Sequence, residues 1–183
     1  VAGLLFEVSI LWDAGWWAWH ALRFTAYIVV VVYFLQQFNK LHSALKKSEI
    51  EVKLLLDSSG EGIYGVNNNG DCTFANKTAL KMTGYNNQNE WIGKNIHNLI
   101  HHSHANGSSY HKNDCKIYKV LLSGQGNTVD DEVFWRKDGS NFPVDYKAFP
   151  MQHNHKIIGS VVSFSDITER KQSEQALNDA HEN

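Results

Sequence analysis

The densest group of potential metal ligands in this sequence is the stretch HNLIHHSHANGSSYHKNDC, residues 97–115. Histidine and cysteine are the usual protein ligands of zinc, copper and iron. The candidate ligands are His101, His102, His104, His111 and Cys115. The spacing of the first three fits neither a helical i, i+4 pair nor a CxxC motif, and the residues 107–109 predict a loop. The pattern therefore favours a polar structural loop over a metal site.

A second group of charged residues could transmit a signal near the end of the chain. Asp166 followed by Glu169 fits a helix N-cap with its capping-box partner, because the carboxylate accepts the free N–H groups of the first turn. Arg136 or Lys137 is a candidate ionic partner of Asp166. The alternative is a simple cap beside a solvated Arg136. Residues 169–183 are polar and predict the start of an output signalling helix that leads to a further domain.

Catalytic chemistry finds little support in the sequence. It contains no GxSxG, GxxxxGKS/T or HExxH motif, and no histidine followed by the Glu-x-Arg pattern of a phosphoacceptor site. We expect no enzymatic activity in this chain. The net charge of −2 without a basic stripe also argues against a nucleic-acid partner.

Residues 13–37 predict a transmembrane helix. Arg23 is the only fixed charge between Ala14 and Asn39, and the segment exceeds the roughly 20 residues that cross a bilayer. His20 and Arg23 are either interfacial anchors or part of a site in a larger helical bundle. Tryptophans cluster at one end of this segment, and lysines follow the other end: Trp16, Trp17, Trp19 and Lys40, Lys46, Lys47. This distribution predicts an inner-membrane protein whose residues after the segment are cytoplasmic. Residues 1–12 are interpreted as the remnant of an upstream membrane region.

Residues 38–53 predict a helical linker that continues the membrane helix. Apolar residues recur at alternating steps of four and three, with Ser48 in the one polar position: Phe34, Phe38, Leu41, Leu45, Val52, Leu55. This heptad pattern predicts a parallel two-stranded coiled coil and hence a homodimer. The alternative is a single amphipathic helix that packs on its own domain.

Residues 54–168 predict an α+β domain with a five-stranded antiparallel sheet and short helices on one face. Two short strands flank the turn 68–70, and short helices follow. Three longer strands then show a two-residue period, with Val129, Val133 and Trp135 expected to face the core in the first of them. The Asp138-Gly139 turn joins this strand to the next.

This domain resembles the PAS family. The resemblance rests on Thr83-Gly84-Tyr85, the hairpin FWRKDGSNFPV, Gly159 in the last strand, and the exit motif DITERK, residues 166–171. The resemblance implies that Asp166 and Thr168 couple the sheet to the output helix. It also raises haem and flavin as cofactors. The helix CKIYKVLLSG lacks the proximal histidine of haem-binding members, and the positions 95–97 lack the cysteine of light-sensing flavin members, so no cofactor is assigned.

A small metabolite in an apolar cavity, or no ligand at all, is then the leading hypothesis. The residues expected to line such a cavity are Ile92, Leu99, Tyr118, Leu122, Val133 and Trp135. Ordinary core packing is the alternative for all six.

The combined pattern predicts a membrane-anchored sensory module that relays a signal through its helical linkers to an output domain outside this chain. The output domain is expected to be of the histidine kinase or diguanylate cyclase type. Two alternatives remain open: a structural dimerisation and relay domain without ligand, and a metal- or haem-dependent redox sensor that uses the histidine-rich loop.

Overall fold

The structure is a computed structural model, and it describes residues 14–181. The upstream remnant expected at residues 1–12 lies outside the described residues. The described residues divide into two compact units, one up to residue 52 and one from residue 53 onwards.

One helix, α1 (Ala14–Asp57), occupies the whole described part of the first unit and ends in the second. Its 44 residues correspond to about 66 Å. The helix continues without interruption across the expected boundary between membrane segment and linker at residues 37 and 38. By length and composition, it is the one helix in the described part of the chain that could cross a membrane.

A single antiparallel sheet forms the centre of the second unit. Its strands are β1 (Gly62–Asn67), β2 (Cys72–Ala75), β3 (Asn127–Trp135), β4 (Asn141–His153) and β5 (Lys156–Asp166), in the order β2-β1-β5-β4-β3. The helices are α2 (Lys77–Met82), α3 (Ile96–Ile100), α4 (Lys116–Ser123) and α5 (Thr168–His181), with a 3₁₀ turn at Gln88–Glu90. The α+β class and the five-stranded sheet expected from the sequence are confirmed.

Two predicted turns form as expected. Gly70 has φ 86° in the turn between β1 and β2, and Gly139 has φ 83° in the turn between β3 and β4. Both angles lie in the left-handed region, where only glycine avoids a steric penalty. Each glycine donates its N–H to the residue that opens the turn, Asn67 and Arg136 respectively.

A β-bulge in β3 changes which side chains face the core. Val129 pairs with Tyr146, but the next pair is Glu132 with Val144, so three steps on β3 oppose two on β4. The extra residue reverses the alternation that follows it. Phe134 is therefore fully buried, whereas Val133 and Trp135 are only partly buried. The sequence-based expectation that Val133 and Trp135 face the core was wrong for this reason.

The core lies between one face of the sheet and the helices. The aromatic rings of Phe134, Tyr146 and Phe164 are in contact, with centroids 5.4 Å apart for Phe134 and Tyr146 and 5.2 Å for Phe134 and Phe164. Apolar side chains of α3 and α4 complete this core: Ile96, Ile100, Ile117, Val120 and Leu121. This packing fixes α3 and the start of α4 next to the bulged strand.

Candidate functional site

Three potential metal ligands converge at the ends of two short helices. His97 lies in α3 and His101 caps its C-terminus, so the two are four residues apart on one side of the helix. Cys115 is the N-cap residue of α4, although its side chain makes no capping hydrogen bond. One donor atom from each of the three side chains lies within 4.8 Å of the others.

Glu132 accepts hydrogen bonds from four donors beside this cluster. Its Oε2 accepts from Tyr146 at 2.6 Å and from His101 Nε2 at 2.9 Å. Its Oε1 accepts from Tyr110 at 3.0 Å and lies 3.2 Å from Lys116 Nζ. The β-bulge turns this carboxylate inward, and the four donors compensate the cost of burying it.

His101 connects Glu132 to Cys115. Its Nδ1 lies 3.4 Å from the Cys115 sulfur, while its Nε2 faces the Glu132 carboxylate. Burial alone would raise the pKa of Cys115, but the imidazoles of His101 and His97 outweigh burial and lower the pKa to about 6. Burial alone would lower the pKa of His101, but Cys115 and Glu132 hold this pKa above its ordinary value. The arrangement favours a thiolate beside an imidazolium.

A small cavity opens at the cluster. It measures about 20 Å³ and is lined by His97, His101 and Cys115 together with apolar side chains such as Val66 and Leu121. This volume suits a water molecule or a single ion, because the smallest cavities that hold water measure about 10–15 Å³. Pockets for organic ligands are of the order of 300–1,000 Å³.

A second constellation joins the sheet to the exit helix α5. Arg136, just after β3, donates from Nη2 to Asp166 Oδ2 at 2.7 Å and from Nε to the Met82 carbonyl at 3.0 Å. Asp166 Oδ1 accepts the Thr168 backbone N–H at 2.9 Å and also the Thr168 hydroxyl. One carboxylate therefore links the β3–β4 hairpin, the end of β5 and the first turn of α5.

A third constellation holds the C-terminal end of α1. Asn76 is buried, and its Nδ2 donates to the carbonyls of Leu56 at 2.7 Å and Glu61 at 2.9 Å. Its Oδ1 accepts from the backbone N–H of Ile63 at 2.8 Å and of Ala79 at 2.9 Å. The side chain thus satisfies the end of α1, the start of β1 and the N-terminus of α2 at once.

Residues 60–169 match the sequence profile of the PAS domain. The chain belongs to the PAS domain family. The matched segment contains all five strands and the three short helices α2, α3 and α4.

Two relatives from Escherichia coli are signalling proteins. This chain is 23% identical over 147 residues to the signal transduction histidine-protein kinase AtoS. The match covers 78% of this chain and 22% of that protein. The chain is 26% identical to the probable diguanylate cyclase DgcE over 138 residues, 75% of this chain and 12% of that protein. The chain thus spans less than a quarter of either relative.

Solved PAS domains share the fold. The PAS domain of an HTR-like protein from Haloarcula marismortui superposes with a TM-score of 0.54 at 15% identity, over 70% of this chain and 99% of that chain. A PAS domain from Colwellia psychrerythraea gives 0.53 at 21% identity, over 68% and 98%.

The PAS domain brings together two of the five metal-ligand candidates, His101 and Cys115. The others make separate contacts. His102 Nδ1 pairs with the Ser103 hydroxyl, the His104 ring lies against Tyr110 at 4.5 Å, and His111 Nδ1 accepts the Asn113 N–H. The third member of the cluster is His97, which begins the histidine-rich stretch but was not among the candidate ligands.

The six residues expected to line a pocket do not surround one cavity in the PAS domain. Ile92, in the loop before α3, is 40% exposed. Leu122 is 71% exposed, because the buried face of α4 consists of Ile117, Val120 and Leu121. Tyr118 lines the 20 Å³ cavity, whereas Val133 lines a separate polar cavity of about 50 Å³. Leu99 packs against the core, and Trp135 Nε1 donates to the Ser103 carbonyl.

Of the residues expected to relay a signal, Arg136, Asp166 and Thr168 are in contact. The anticipated ion pair between Arg136 and Asp166 is present. Glu169 is exposed on α5, and its backbone carbonyl accepts the Ser173 hydroxyl. Sequence reasoning missed the roles of His97, Glu132 and Asn76. The four-residue spacing of His97 and His101 was the available signal for the first of these.

Proposed function

We propose that this chain is the membrane-anchored sensory input of a signal transduction protein, and that the Arg136–Asp166 pair relays the state of the PAS domain to α5. The observation that carries this proposal is the 2.7 Å hydrogen bond between a side chain on the β3–β4 hairpin and the carboxylate that accepts the N–H of Thr168, the first residue of the exit helix. The output is proposed to be a histidine kinase or diguanylate cyclase domain, by analogy with the two relatives.

The route through the domain follows backbone and side-chain contacts. Arg136 bonds to the last residue of α2, and the Lys137 N–H donates to the Thr83 carbonyl just after α2 at 3.0 Å. A displacement of α2 would therefore move the hairpin and, through Asp166, the first turn of α5. Hydrogen bonds in partly buried charged pairs are directional, so a small displacement of either side chain changes the geometry of the pair.

The incoming side of the proposed relay is α1. The heptad residues of its seam are strongly exposed in the single chain, at 67% for Phe34, 73% for Leu41 and 68% for Leu45. A continuous apolar seam of this kind is stabilised when a second copy covers it, which supports a homodimer. The more apolar first half of the helix is proposed to span the inner membrane, with the PAS domain in the cytoplasm.

A relay domain without an organic ligand is the second candidate. The cavity of about 20 Å³ beside α3 and α4 supports it, since an organic metabolite needs more than ten times that volume. In such a relay domain, the signal arrives through α1. The Asn76 side chain then transmits movement of the last turn of α1 to β1 and α2.

The test is a chimera in which the complete chain is joined through α5 to the catalytic part of a sensor histidine kinase. We expect the chimera in the membrane fraction, with autophosphorylation altered about fivefold or more by Asp166→Ala or Arg136→Ala. Asp130→Ala, at an exposed position of β3, is the matched control and should leave activity unchanged. Equal activity in all of these variants would refute the relay, and a soluble chimera would refute the anchor.

A further inference from the structure

The Nε2 atoms of His97 and His101 both face hydrogen-bond acceptors. His97 Nε2 lies 2.9 Å from the Tyr110 carbonyl oxygen, and His101 Nε2 lies 2.9 Å from Glu132 Oε2. A carbonyl and a carboxylate only accept hydrogen bonds, so both Nε2 atoms carry hydrogen. A bound cation displaces the proton that His101 Nδ1 shares with Cys115, and both Nδ1 atoms then offer a lone pair.

Both of these lone pairs belong to the cluster with Cys115. His101 Nδ1 lies 3.4 Å from the Cys115 sulfur. His97 Nδ1 is buried and has no hydrogen-bond partner among the described residues. A buried nitrogen without a partner costs free energy, and a cation that accepts its lone pair would remove that cost.

We propose that His97 Nδ1, His101 Nδ1 and Cys115 Sγ bind one transition-metal ion of the zinc–copper class. Two imidazoles and a thiolate are the donor set that such ions prefer, whereas Mg²⁺ and Ca²⁺ prefer oxygen. The fourth position of a tetrahedral ion remains open to a water molecule in the adjoining cavity. The site is independent of the proposed membrane anchor and of the Arg136–Asp166 relay.

The distances suit this coordination. Tetrahedral zinc with bonds of about 2.05 Å to nitrogen and 2.3 Å to sulfur places those two ligand atoms about 3.6 Å apart. The observed separation of His101 Nδ1 and Cys115 Sγ is 3.4 Å, and the widest separation in the cluster is within 4.8 Å. The His97 ring therefore needs to move about 1 Å toward the other two ligands to complete the site. Rotation of this partly buried side chain can supply that movement.

The hydrogen bonds of both histidines match those of histidines that bind a metal. Metal-ligating histidines usually donate their second N–H to a carboxylate or a backbone carbonyl, which fixes the ring orientation. His101 does so to Glu132, and His97 does so to Tyr110. Glu132 is in turn oriented by Tyr146 and Tyr110.

The first experiment uses the complete wild-type chain in detergent, stripped with a chelator and reloaded with Zn²⁺, Cu⁺ or Co²⁺ in separate samples. We expect one tightly held ion per chain, a sulfur-to-metal charge-transfer band with Co²⁺, and X-ray absorption showing one sulfur at about 2.3 Å and nitrogens at about 2.0–2.1 Å in the zinc sample. Competition between Zn²⁺ and Cu⁺ then identifies the preferred ion. A stoichiometry near zero, or a bound ion without a sulfur ligand, would overturn the proposal.

The second experiment compares variants for metal content and circular dichroism. Cys115→Ser and His97→Gln should abolish stoichiometric binding. The glutamine amide can still donate to Tyr110, so His97→Gln removes the ligand and keeps the structural hydrogen bond. His111→Ala is the matched control, since His111 is exposed in the same loop and outside the cluster. Undiminished binding by a folded His97→Gln variant would refute the assigned ligand set.

Discussion

The guanidinium of Arg136 donates a 2.7 Å hydrogen bond to the carboxylate of Asp166 and thereby connects the β3–β4 hairpin to the strand end from which α5 leaves. Both side chains are about a quarter exposed, at 29% and 26%. Water screens such a pair only in part, so it stabilises the junction by about 1 kcal/mol at most. The main effect of the ion pair is therefore geometric. The pair fixes where α5 begins and how the first turn of α5 is held.

Replacing Asp166 by asparagine should loosen the first turn of α5. The amide oxygen of the new side chain can still accept the Thr168 N–H, but the charged pair with Arg136 is lost. We expect faster hydrogen–deuterium exchange in the first turn of α5 and at the β3–β4 turn, with the melting temperature almost unchanged. Asp130→Asn is the control at an exposed position. Unchanged exchange at α5 would show that the carboxylate charge does not hold the helix start.

Replacing Asn76 by alanine should destabilise the domain strongly. The change removes the buried side-chain partner of the Glu61 carbonyl and of the Ile63 and Ala79 N–H groups. The Leu56 carbonyl keeps only the 3.3 Å bond from the Ser59 N–H. We expect a loss of about 3 kcal/mol in the free energy of unfolding, measured by urea denaturation. Asn87→Ala removes an exposed cap of the 3₁₀ turn and should cost less than about 1 kcal/mol. Similar losses in the two variants would contradict the role of Asn76.

Replacing Glu132 by glutamine should affect both stability and metal binding. A glutamine amide presents N–H groups to some of the four donors that the carboxylate satisfies, so we expect a loss of about 3 kcal/mol in the free energy of unfolding. Because His101 then loses its orienting carboxylate, metal affinity should fall by about 10- to 100-fold.

The neighbouring Asp131 provides the control for Glu132. Its side chain is 73% exposed and pairs with Lys116 at the surface. Asp131→Asn should change the free energy of unfolding by less than about 1 kcal/mol and leave metal affinity unchanged. An equal effect of the two substitutions would mean that the buried carboxylate has no special role.

Placing a charge on the seam of α1 should separate the proposed dimer. In the proposed coiled coil, Leu45→Glu introduces two carboxylates at facing positions, where they repel one another and cannot be hydrated fully. We expect a shift from dimer to monomer in sedimentation velocity measured in detergent. Ser43→Glu, on the opposite side of the helix, should keep the wild-type mass. A dimer that persists in Leu45→Glu would place the contact between copies elsewhere.

Local signals determined much of this protein from the sequence alone. The long apolar helix, the order of strands and helices, and the glycine turns at Gly70 and Gly139 follow from periodicity and backbone preferences that operate over a few residues. The pairing of Arg136 with Asp166 was also accessible, since the hairpin and exit motifs of the PAS family occur together in this sequence.

Only the tertiary structure decided the interior of the candidate site. An extra residue in β3 turned Glu132 and Phe134 inward in place of Val133 and Trp135, and a bulge of this kind is defined by cross-strand pairing rather than by the strand's own residues. The meeting of Cys115 with His97 and His101 likewise depends on how α3 and α4 pack on the sheet. Periodicity assigns a side chain to a face of its own element, whereas its neighbours are set by contacts between distant parts of the chain.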